Sequence, residues 1–130
     1  MSKKLEGAVI IPSNTNVWEH EMKTAQALAD TGNMVQFISK NDGLRIKSPD
    51  IMINGVIFEM KSPKSDKLSA VERNLKRAYH QSVNIVFDSR RMKHLSDRAI
   101  EKELVKQCNL TKKIKRLLFV NRKGKVAEIK

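Results

Sequence analysis

The sequence is short of several features that would assign a protein to a class directly. Its single cysteine, Cys108, excludes an internal disulfide and a CxxC metal or redox site. No apolar run approaches the roughly 20 residues that cross a bilayer, and the short apolar run after Glu6 is too brief for the roughly 7–15-residue core of a signal peptide. Aromatic residues make up 5% of the chain, so surfaces that stack on bases are not evident. We therefore expect no signal peptide, no transmembrane segment and a site of action in a reducing cytoplasm.

Acidic residues are few beside the basic ones. The 130 residues include 26 Lys and Arg against 14 Asp and Glu, a formal net charge of +12. Such a charge favours polyanionic partners: nucleic acid, an acidic protein or an anionic membrane surface. The length fits a single domain, residues 1–130, and 40% hydrophobic residues suffice for its core. Composition thus favours a basic one-domain protein that binds polyanions.

Predicted strands and helices alternate along the chain. Apolar runs and breaker residues predict strands at Gly7–Pro12, Met34–Ser39 and Asn84–Asp88, and helices at about Val17–Thr31, Asp66–Gln81 and Ser96–Asn109. Residues 40–49 read as a polar loop, and two hairpins add further strands, one around Asn54 and one that pairs Arg116–Asn121 with Lys125–Ile129. This alternation predicts an α/β fold with a mixed β-sheet flanked by helices.

The most informative segment is a predicted hairpin around Asn54-Gly55, a dipeptide typical of the two-residue type I′ turn. That turn sets a register in which Asp50 lies opposite Glu59. Directly opposed residues of an antiparallel pair share a face, with β-carbons about 4.5–5.5 Å apart. Lys61 follows Glu59 by two positions and therefore points the same way. The hairpin predicts a cluster of two carboxylates and one ammonium group.

This cluster has the composition of a phosphodiesterase centre. Two carboxylates so close together repel each other unless one is protonated or a cation lies between them. Because Mg²⁺ takes one or two carboxylates together with phosphate oxygens and water, Asp50 and Glu59 are candidate metal ligands. Lys61 could orient the attacking water or stabilise charge on the phosphate. Acids and lysines are also common at strand ends, so a purely structural origin of the pattern is the alternative.

Glu21 lies within the apolar arc of the first predicted helix when that helix is taken from Val17. A buried glutamate is costly unless it is paired, protonated or bound to a metal, so Glu21 is a candidate catalytic carboxylate. A salt-bridged glutamate is the alternative, and Glu19 takes its place if the helix starts in another register. Trp18, in the same stripe, and Tyr79, on the second helix, are predicted core residues.

Basic residues on the second predicted helix are candidate substrate contacts. Arg73 and Arg77 lie on the helix that directly follows the predicted catalytic strand, so their charge could extend the site along a phosphate backbone. Gln81, at the end of that helix, could also reach the substrate, although a helix-end cap is equally consistent. His80 is predicted to face solvent and is a minor candidate for substrate contact.

Several features together resemble the PD-(D/E)xK nuclease superfamily: Glu21, Pro49-Asp50 and Glu59-Met60-Lys61. With the first helix and the segment from Arg77 to Gln81 added, the chain from about Pro12 to Lys130 is similar to one branch of that superfamily. This branch comprises the C-terminal tRNA-nuclease toxin domains of contact-dependent growth inhibition (CdiA-type) proteins.

The resemblance implies a restriction-endonuclease-like core and a metal-dependent endonuclease. It implies that Asp50, Glu59 and Glu21 bind a divalent metal, Mg²⁺ with Mn²⁺ or Zn²⁺ as alternatives, and that Lys61 is the catalytic lysine. The implied substrate is RNA, with tRNA favoured, and the implied partner is a cognate immunity protein that neutralises a delivered toxin. Such domains normally end very long secreted proteins, whereas this chain opens with Met1. Whether it is free-standing or excised from a larger protein stays open.

Two other functions also stay open. A DNA endonuclease, resolvase-like or restriction-like, uses the same fold, and a resolvase would be a stable dimer that binds branched DNA. A basic nucleic-acid-binding protein without catalysis would explain the charge but would not need the opposed pair Asp50 and Glu59. Loss of activity on chelation separates an enzyme from such a binding protein.

Overall fold

The structure, a computed structural model, describes residues 7–13, 15–39 and 50–130. The predicted loop at 40–49, with Pro49, lies outside these residues. Within the described part, strands and helices follow one another in the order β1 (Ala8–Ile10), α1 (Glu19–Ala29), β2 (Met34–Phe37), β3 (Ile51–Ile53), β4 (Val56–Lys61), α2 (Ser69–Tyr79), β5 (Asn84–Asp88), α3 (Asp97–Leu110), β6 (Arg116–Val120) and β7 (Val126–Glu128).

These strands form one mixed sheet whose spatial order follows the chain, from β1 to β7. Three neighbouring pairs are parallel, β1 with β2, β4 with β5 and β5 with β6, and a helix connects the two strands of each. The other three pairs are antiparallel and need no helical crossover. The prediction of an α/β fold with a mixed sheet flanked by helices is confirmed. No helix of the described residues is long and apolar enough to cross a membrane.

Alternation of side chains gives the sheet two differently covered faces. Met60 and Val86 pack in a core with residues of α1, and we call this side the α1 face. Ile85 and Phe87 pack in a second core with residues of α2 and α3, on what we call the α2/α3 face. Because neighbouring residues of a strand point to opposite faces, each strand residue can be assigned to one of these two sides.

The hairpin of β3 and β4 has the predicted turn and register. Asn54 and Gly55 both have positive φ, 50° and 82°, as a type I′ turn requires. Ile51 pairs with Phe58 and Ile53 with Val56. The prediction that this turn places Asp50 beside Glu59 therefore rests on a register that the structure confirms.

The first helix begins later than predicted. α1 starts at Glu19, so Val17 and Trp18 precede the helix. Val17 packs against the core of the α1 face, as its predicted place in the apolar stripe implies. Trp18 is 72% exposed, and its prediction as a core residue is wrong. Tyr79 is half-buried against the α2/α3 core, close to expectation, and His80 is exposed as predicted.

Candidate active site

Glu59 is a buried carboxyl group on a strand with neighbours on both sides. β4 pairs with β3 and with β5, and Glu59 is only 2% exposed. Because Met60 belongs to the α1 face, Glu59 and Lys61 point to the α2/α3 face. The Oε1 atom of Glu59 is buried and has no hydrogen-bond partner among the described residues. A buried oxygen without a partner is costly, so this atom is poised to receive a ligand.

Burial raises the pKa of Glu59 from its ordinary value of 4.5 to about 8. Asp50 adds to the rise, through a side-chain hydrogen bond and through its negative charge, while Lys61 acts in the opposite direction. A carboxyl group that is desolvated beside a second carboxylate keeps its proton at neutral pH. Glu59 is therefore mostly protonated at pH 7 when no metal ion is bound beside it.

The other two members of the predicted cluster are where the hairpin register places them. Asp50 accepts a hydrogen bond at Oδ2 from the backbone N–H of Met60, at 3.0 Å. Lys61 Nζ lies 3.4 Å from Glu59 Oε2, and the side chain of Lys61 is 20% exposed. Asp50, Glu59 and Lys61 thus form one group at the carboxyl end of β4, which we call the carboxylate cluster.

The carboxylate cluster fits a hard divalent cation in its donor set. The side chains of Asp50 and Glu59 are hydrogen-bonded there, and the Oε1 of Glu59 has no partner among the described residues. Mg²⁺ is commonly bound by one or two carboxylates, with phosphate oxygens and water completing the coordination. Across residues 7–13, 15–39 and 50–130, no group of three or more His, Cys, Asp or Glu is placed to hold a metal. The carboxylate cluster offers such a cation two carboxyl groups, those of Asp50 and Glu59.

Glu21 lies apart from the carboxylate cluster. It is half-buried, and its Oε1 accepts a hydrogen bond of 3.0 Å from the backbone N–H of Trp18, at the start of α1. This bond satisfies one of the free N–H groups around the helix N-terminus, a structural role. Since α1 covers one face of the sheet and Glu59 points to the other, the structure does not bring Glu21 to Asp50 and Glu59. Its metal-binding role stays a prediction that the geometry does not support.

The predicted substrate contacts lie on the same side of the sheet as Glu59. α2 packs against β4 and β5, and Arg73 and Arg77 are exposed on it. Gln81 is half-buried just beyond α2, where its backbone N–H donates to the carbonyl of Ala78 at 2.9 Å. These positions are compatible with substrate contact, which stays a prediction for all three residues.

The sequence analysis placed a second buried carboxylate, Asp88, only at the end of the predicted strand Asn84–Asp88. It is 2% exposed at the carboxyl end of β5 and accepts a hydrogen bond of 2.6 Å from Thr24 Oγ1 of α1. Arg90 forms a salt bridge with it at 2.7 Å. The polar Thr24 among the apolar residues of the α1 stripe was a signal for this contact, because a buried hydroxyl needs a polar partner.

The fold and the carboxylate cluster define a class: an α/β protein with a mixed sheet on which a buried carboxyl group, Glu59, lies beside a second carboxyl group and a lysine. A family model described as the contact-dependent growth inhibition CdiA C-terminal domain matches residues 47–126, more than half of the chain. The protein belongs to this family of CdiA C-terminal domains. No curated protein matches the chain.

One solved structure shares the fold over nearly the whole chain. It is the CdiA-CT/CdiI toxin and immunity complex from Burkholderia pseudomallei, with a TM-score of 0.68, 22% sequence identity and coverage of 95% of this chain and 99% of that chain. Identity at this level shows a common fold alone. The family match confirms the predicted relation to contact-dependent growth inhibition proteins, while nuclease chemistry stays a prediction.

Proposed function

We propose that the protein is a metal-dependent phosphodiesterase of the PD-(D/E)xK type that cleaves RNA, with tRNA as the favoured substrate. The carboxylate cluster is the observation that carries this proposal. Burial and the neighbouring Asp50 raise the pKa of Glu59 to about 8, an arrangement that costs folding free energy at neutral pH. Strongly perturbed carboxyl groups are enriched at functional sites, and a lysine beside such a pair suits phosphate chemistry.

Asp50 and Glu59 would hold the cation, Mg²⁺ or alternatively Mn²⁺ or Zn²⁺. When bound, the cation would neutralise charge on the phosphate and lower the pKa of a bound water. Asp50 is already oriented by the Met60 N–H at 3.0 Å, which limits the entropy lost on ligand binding. Asp50 directly precedes β3, and Glu59 and Lys61 lie on the adjacent strand β4 of a mixed sheet. This arrangement supports a restriction-endonuclease-like core.

Lys61 would act on the phosphate directly. Its ammonium group lies 3.4 Å from Glu59 Oε2, and its 20% exposed side chain opens the cluster to solvent. A positive donor fixed beside the scissile phosphate stabilises the negative charge that develops there during displacement. Burial on the Glu59 side strengthens this interaction because the effective dielectric constant is lower than in water.

Cleavage of total tRNA and of plasmid DNA, in parallel and with either Mg²⁺ or EDTA, tests the proposal. The wild type is compared with Glu59→Ala, with Lys61→Ala and with Glu101→Gln, a matched control at an exposed position of α3. We expect discrete tRNA fragments that need Mg²⁺, Glu59 and Lys61 and that are unchanged in the Glu101→Gln control.

Other results would change the assignment. Nicking of plasmid DNA without tRNA cleavage would move the protein to the DNA endonucleases. A folded Glu59→Ala variant with full activity would remove the carboxylate cluster from the chemistry. Binding of tRNA without cleavage, under all metal conditions, would leave a nucleic-acid-binding protein.

We also propose that the protein is a toxin that is delivered into a cell, acts in its cytoplasm and is neutralised by a cognate immunity protein. Membership of the CdiA C-terminal domain family supports the toxin, and a fold neighbour solved as a toxin and immunity complex supports the partner. We expect induced expression in a bacterial host to arrest growth and Glu59→Ala to relieve the arrest. Unimpaired growth with abundant folded wild-type protein would contradict the toxin assignment.

A further inference from the structure

A cleft of about 810 Å³ opens beside α1, away from the carboxylate cluster. It lies where α1, the β4–α2 loop, the β5–α3 loop and the β6–β7 turn meet, at the carboxyl ends of the parallel strands β4 and β5. Crevices outside the carboxyl ends of parallel strands are common ligand sites in open α/β sheets. Six basic residues line it: Lys23, Lys64, Arg90, Arg91, Lys93 and Lys123.

Much of this positive charge is not neutralised. Glu19, one of three carboxylates in the cleft, is paired with Lys23 at 3.4 Å. Within the part of the chain that the structure describes, Lys64, Lys93 and Lys123 take part in no ion pair. A cleft with unpaired cations concentrates field lines and attracts polyanions.

Arg90 differs from these lysines because its guanidinium is held in place. Its Nε lies 3.1 Å from both carboxylate oxygens of Asp88, its Nη2 lies 2.7 Å from Oδ2, and its backbone N–H donates to Oδ1 at 2.9 Å. Asp88 is itself buried and receives the hydroxyl of Thr24 at 2.6 Å. The side chain of Arg90 is 27% exposed and lines the cleft, so it presents a planar donor of fixed orientation there.

We propose that this cleft binds the sugar-phosphate backbone of RNA, with Arg90 as a fixed anchor and Lys64, Lys93 and Lys123 as outer phosphate contacts. That the bound polymer is RNA rests on the proposed function, whereas the place where it binds is inferred from the charge and geometry of the cleft. Ser62 lines the cleft one residue beyond Lys61. One end of the cleft therefore lies one residue along the chain from the carboxylate cluster.

Phosphate fits this site better than the carboxylates of an acidic protein. A nucleic-acid backbone presents charges at a regular spacing along a cleft, and each Lys or Arg that it neutralises releases a counterion. An immobilised arginine fork suits phosphate oxygens, whereas exposed lysines act as point charges with little geometric demand. A fixed arginine surrounded by exposed lysines is therefore suited to a polyanion with regularly spaced phosphates, bound without contacts to its bases.

Binding of fluorescently labelled tRNA to the Glu59→Gln protein, in EDTA, measures the affinity without cleavage. A cleft variant (Lys64→Ser, Lys93→Ser and Lys123→Ser) is compared with a control of equal charge on α3 and the loop after it (Lys102→Ser, Lys106→Ser and Lys112→Ser). We expect the cleft variant to bind about 30- to 100-fold more weakly at 0.1 M salt, with a salt slope lower by roughly 2–3, because three phosphate contacts are lost. The α3 control should lose much less affinity and keep its salt slope.

Asp88→Asn distinguishes a fixed anchor from general attraction. This change adds net positive charge to the cleft, so charge alone predicts tighter tRNA binding. If Asp88 positions Arg90, binding should instead weaken several-fold, and Arg90→Lys should weaken it similarly although the net charge is unchanged. Circular dichroism establishes that each variant is folded. If Asp88→Asn does not fold, Arg90→Lys and Thr24→Val address the same contact.

The remaining outcomes distinguish a failure of the cleft proposal from a failure of the proposed function. Equal losses in the cleft variant and the α3 control would refute the cleft while leaving Glu59-dependent cleavage intact. Selective loss in the cleft variant with no cleavage by wild type would keep the cleft and remove the enzyme. Displacement of tRNA by an equal charge concentration of poly-glutamate would show a site for acidic polypeptides and overturn the assignment to phosphate.

Discussion

Replacing the Glu59 carboxyl group by an amide should change how the free energy of unfolding depends on pH. The pKa of Glu59 is raised from 4.5 to about 8 in the folded protein, chiefly by burial. A raised pKa means that the folded state holds a proton which the unfolded state releases. The stabilising contribution of this group is therefore fully present below pH 4.5 and is lost as the pH rises to about 8.

The size of the effect follows from linkage. Each pKa unit corresponds to about 1.4 kcal/mol, so the interval from 4.5 to about 8 represents about 5 kcal/mol of lost stability. That loss is comparable with the entire stability of many domains, about 5–15 kcal/mol. Glu59→Gln keeps the shape of the protonated acid and has no proton to release. We expect the variant to match the wild type near pH 5 and to exceed it by several kcal/mol near pH 9.

Urea unfolding followed by circular dichroism, between pH 5 and pH 9 and with EDTA present, measures this difference. Glu101→Gln, at an exposed position on α3, controls for the loss of one negative charge. Asp50→Asn should also flatten the wild-type slope, because Asp50 contributes to the rise in the pKa of Glu59. Parallel pH profiles for wild type and Glu59→Gln would falsify the assignment of Glu59 as a buried, protonated acid.

Three further expectations concern the cluster and the fold. Lys61→Ala should move the wild-type transition to higher pH, since Lys61 lowers the pKa of Glu59; an unchanged transition would contradict their contact. Mg²⁺ should stabilise the wild type more at pH 8 than at pH 5, because protons compete with the cation for Glu59. It should stabilise Glu59→Gln at neither pH. The shift of the thermal unfolding midpoint on addition of Mg²⁺, at both pH values, measures this difference. Ser96→Ala should lower the free energy of unfolding, measured in urea, by about 1 kcal/mol. The substitution removes the N-cap hydrogen bond of 3.1 Å from the Ala99 N–H to Ser96 Oγ at the start of α3. A loss close to zero would show that solvent replaces the cap.

The carboxylate cluster could be predicted from the sequence because a local rule determines it. Asn54-Gly55 specifies a two-residue turn, and a two-residue turn determines the pairing on both sides of it. Asp50, Glu59 and Lys61 follow from that register without knowledge of the rest of the fold. The burial of Glu59 depends on the neighbouring strand β5 and on α2. The alternation of predicted strands and helices indicated these elements but not their positions around Glu59.

The placement of Glu21 could not be predicted in the same way. A helical wheel depends on the first helical residue, and taking the helix from Val17 counted the exposed Trp18 as part of the apolar stripe. A wheel also says which side of a helix is buried but not which face of the sheet it covers. Here α1 lies on the face opposite Glu59, a result of the whole topology and of no local pattern.

The basic cleft could not be predicted from the sequence for a similar reason. Thr24 and Asp88 are 64 residues apart, and only the parallel arrangement of β4 and β5 with α1 over one face brings them together. The residues predicted as substrate contacts were instead Arg73 and Arg77, which lie one turn apart on α2. Clusters built from three loops have no periodicity in the sequence, so their members are identified from the structure alone.

A contact between the cleft and the segment after Lys61 yields a last prediction. Arg91, on the β5–α3 loop, donates from Nη1 to the carbonyl of Ser62 at 3.0 Å and so ties the segment that follows Lys61 to the cleft. Arg91→Lys keeps the charge of the cleft but removes this directed bond. If the contact aligns a bound strand with Lys61, the cleavage rate at saturating tRNA should fall about tenfold or more, since small misplacements of reacting groups are costly.

Affinity separates this role from a simple phosphate contact. The tRNA affinity of Arg91→Lys, measured in the Glu59→Gln background, should change by less than about threefold because a point charge still attracts phosphate. A fall in affinity as large as the fall in rate would make Arg91 an ordinary binding residue. An unchanged rate would mean that the segment after Lys61 is held by other contacts, and that the cleft and the carboxylate cluster are aligned without it.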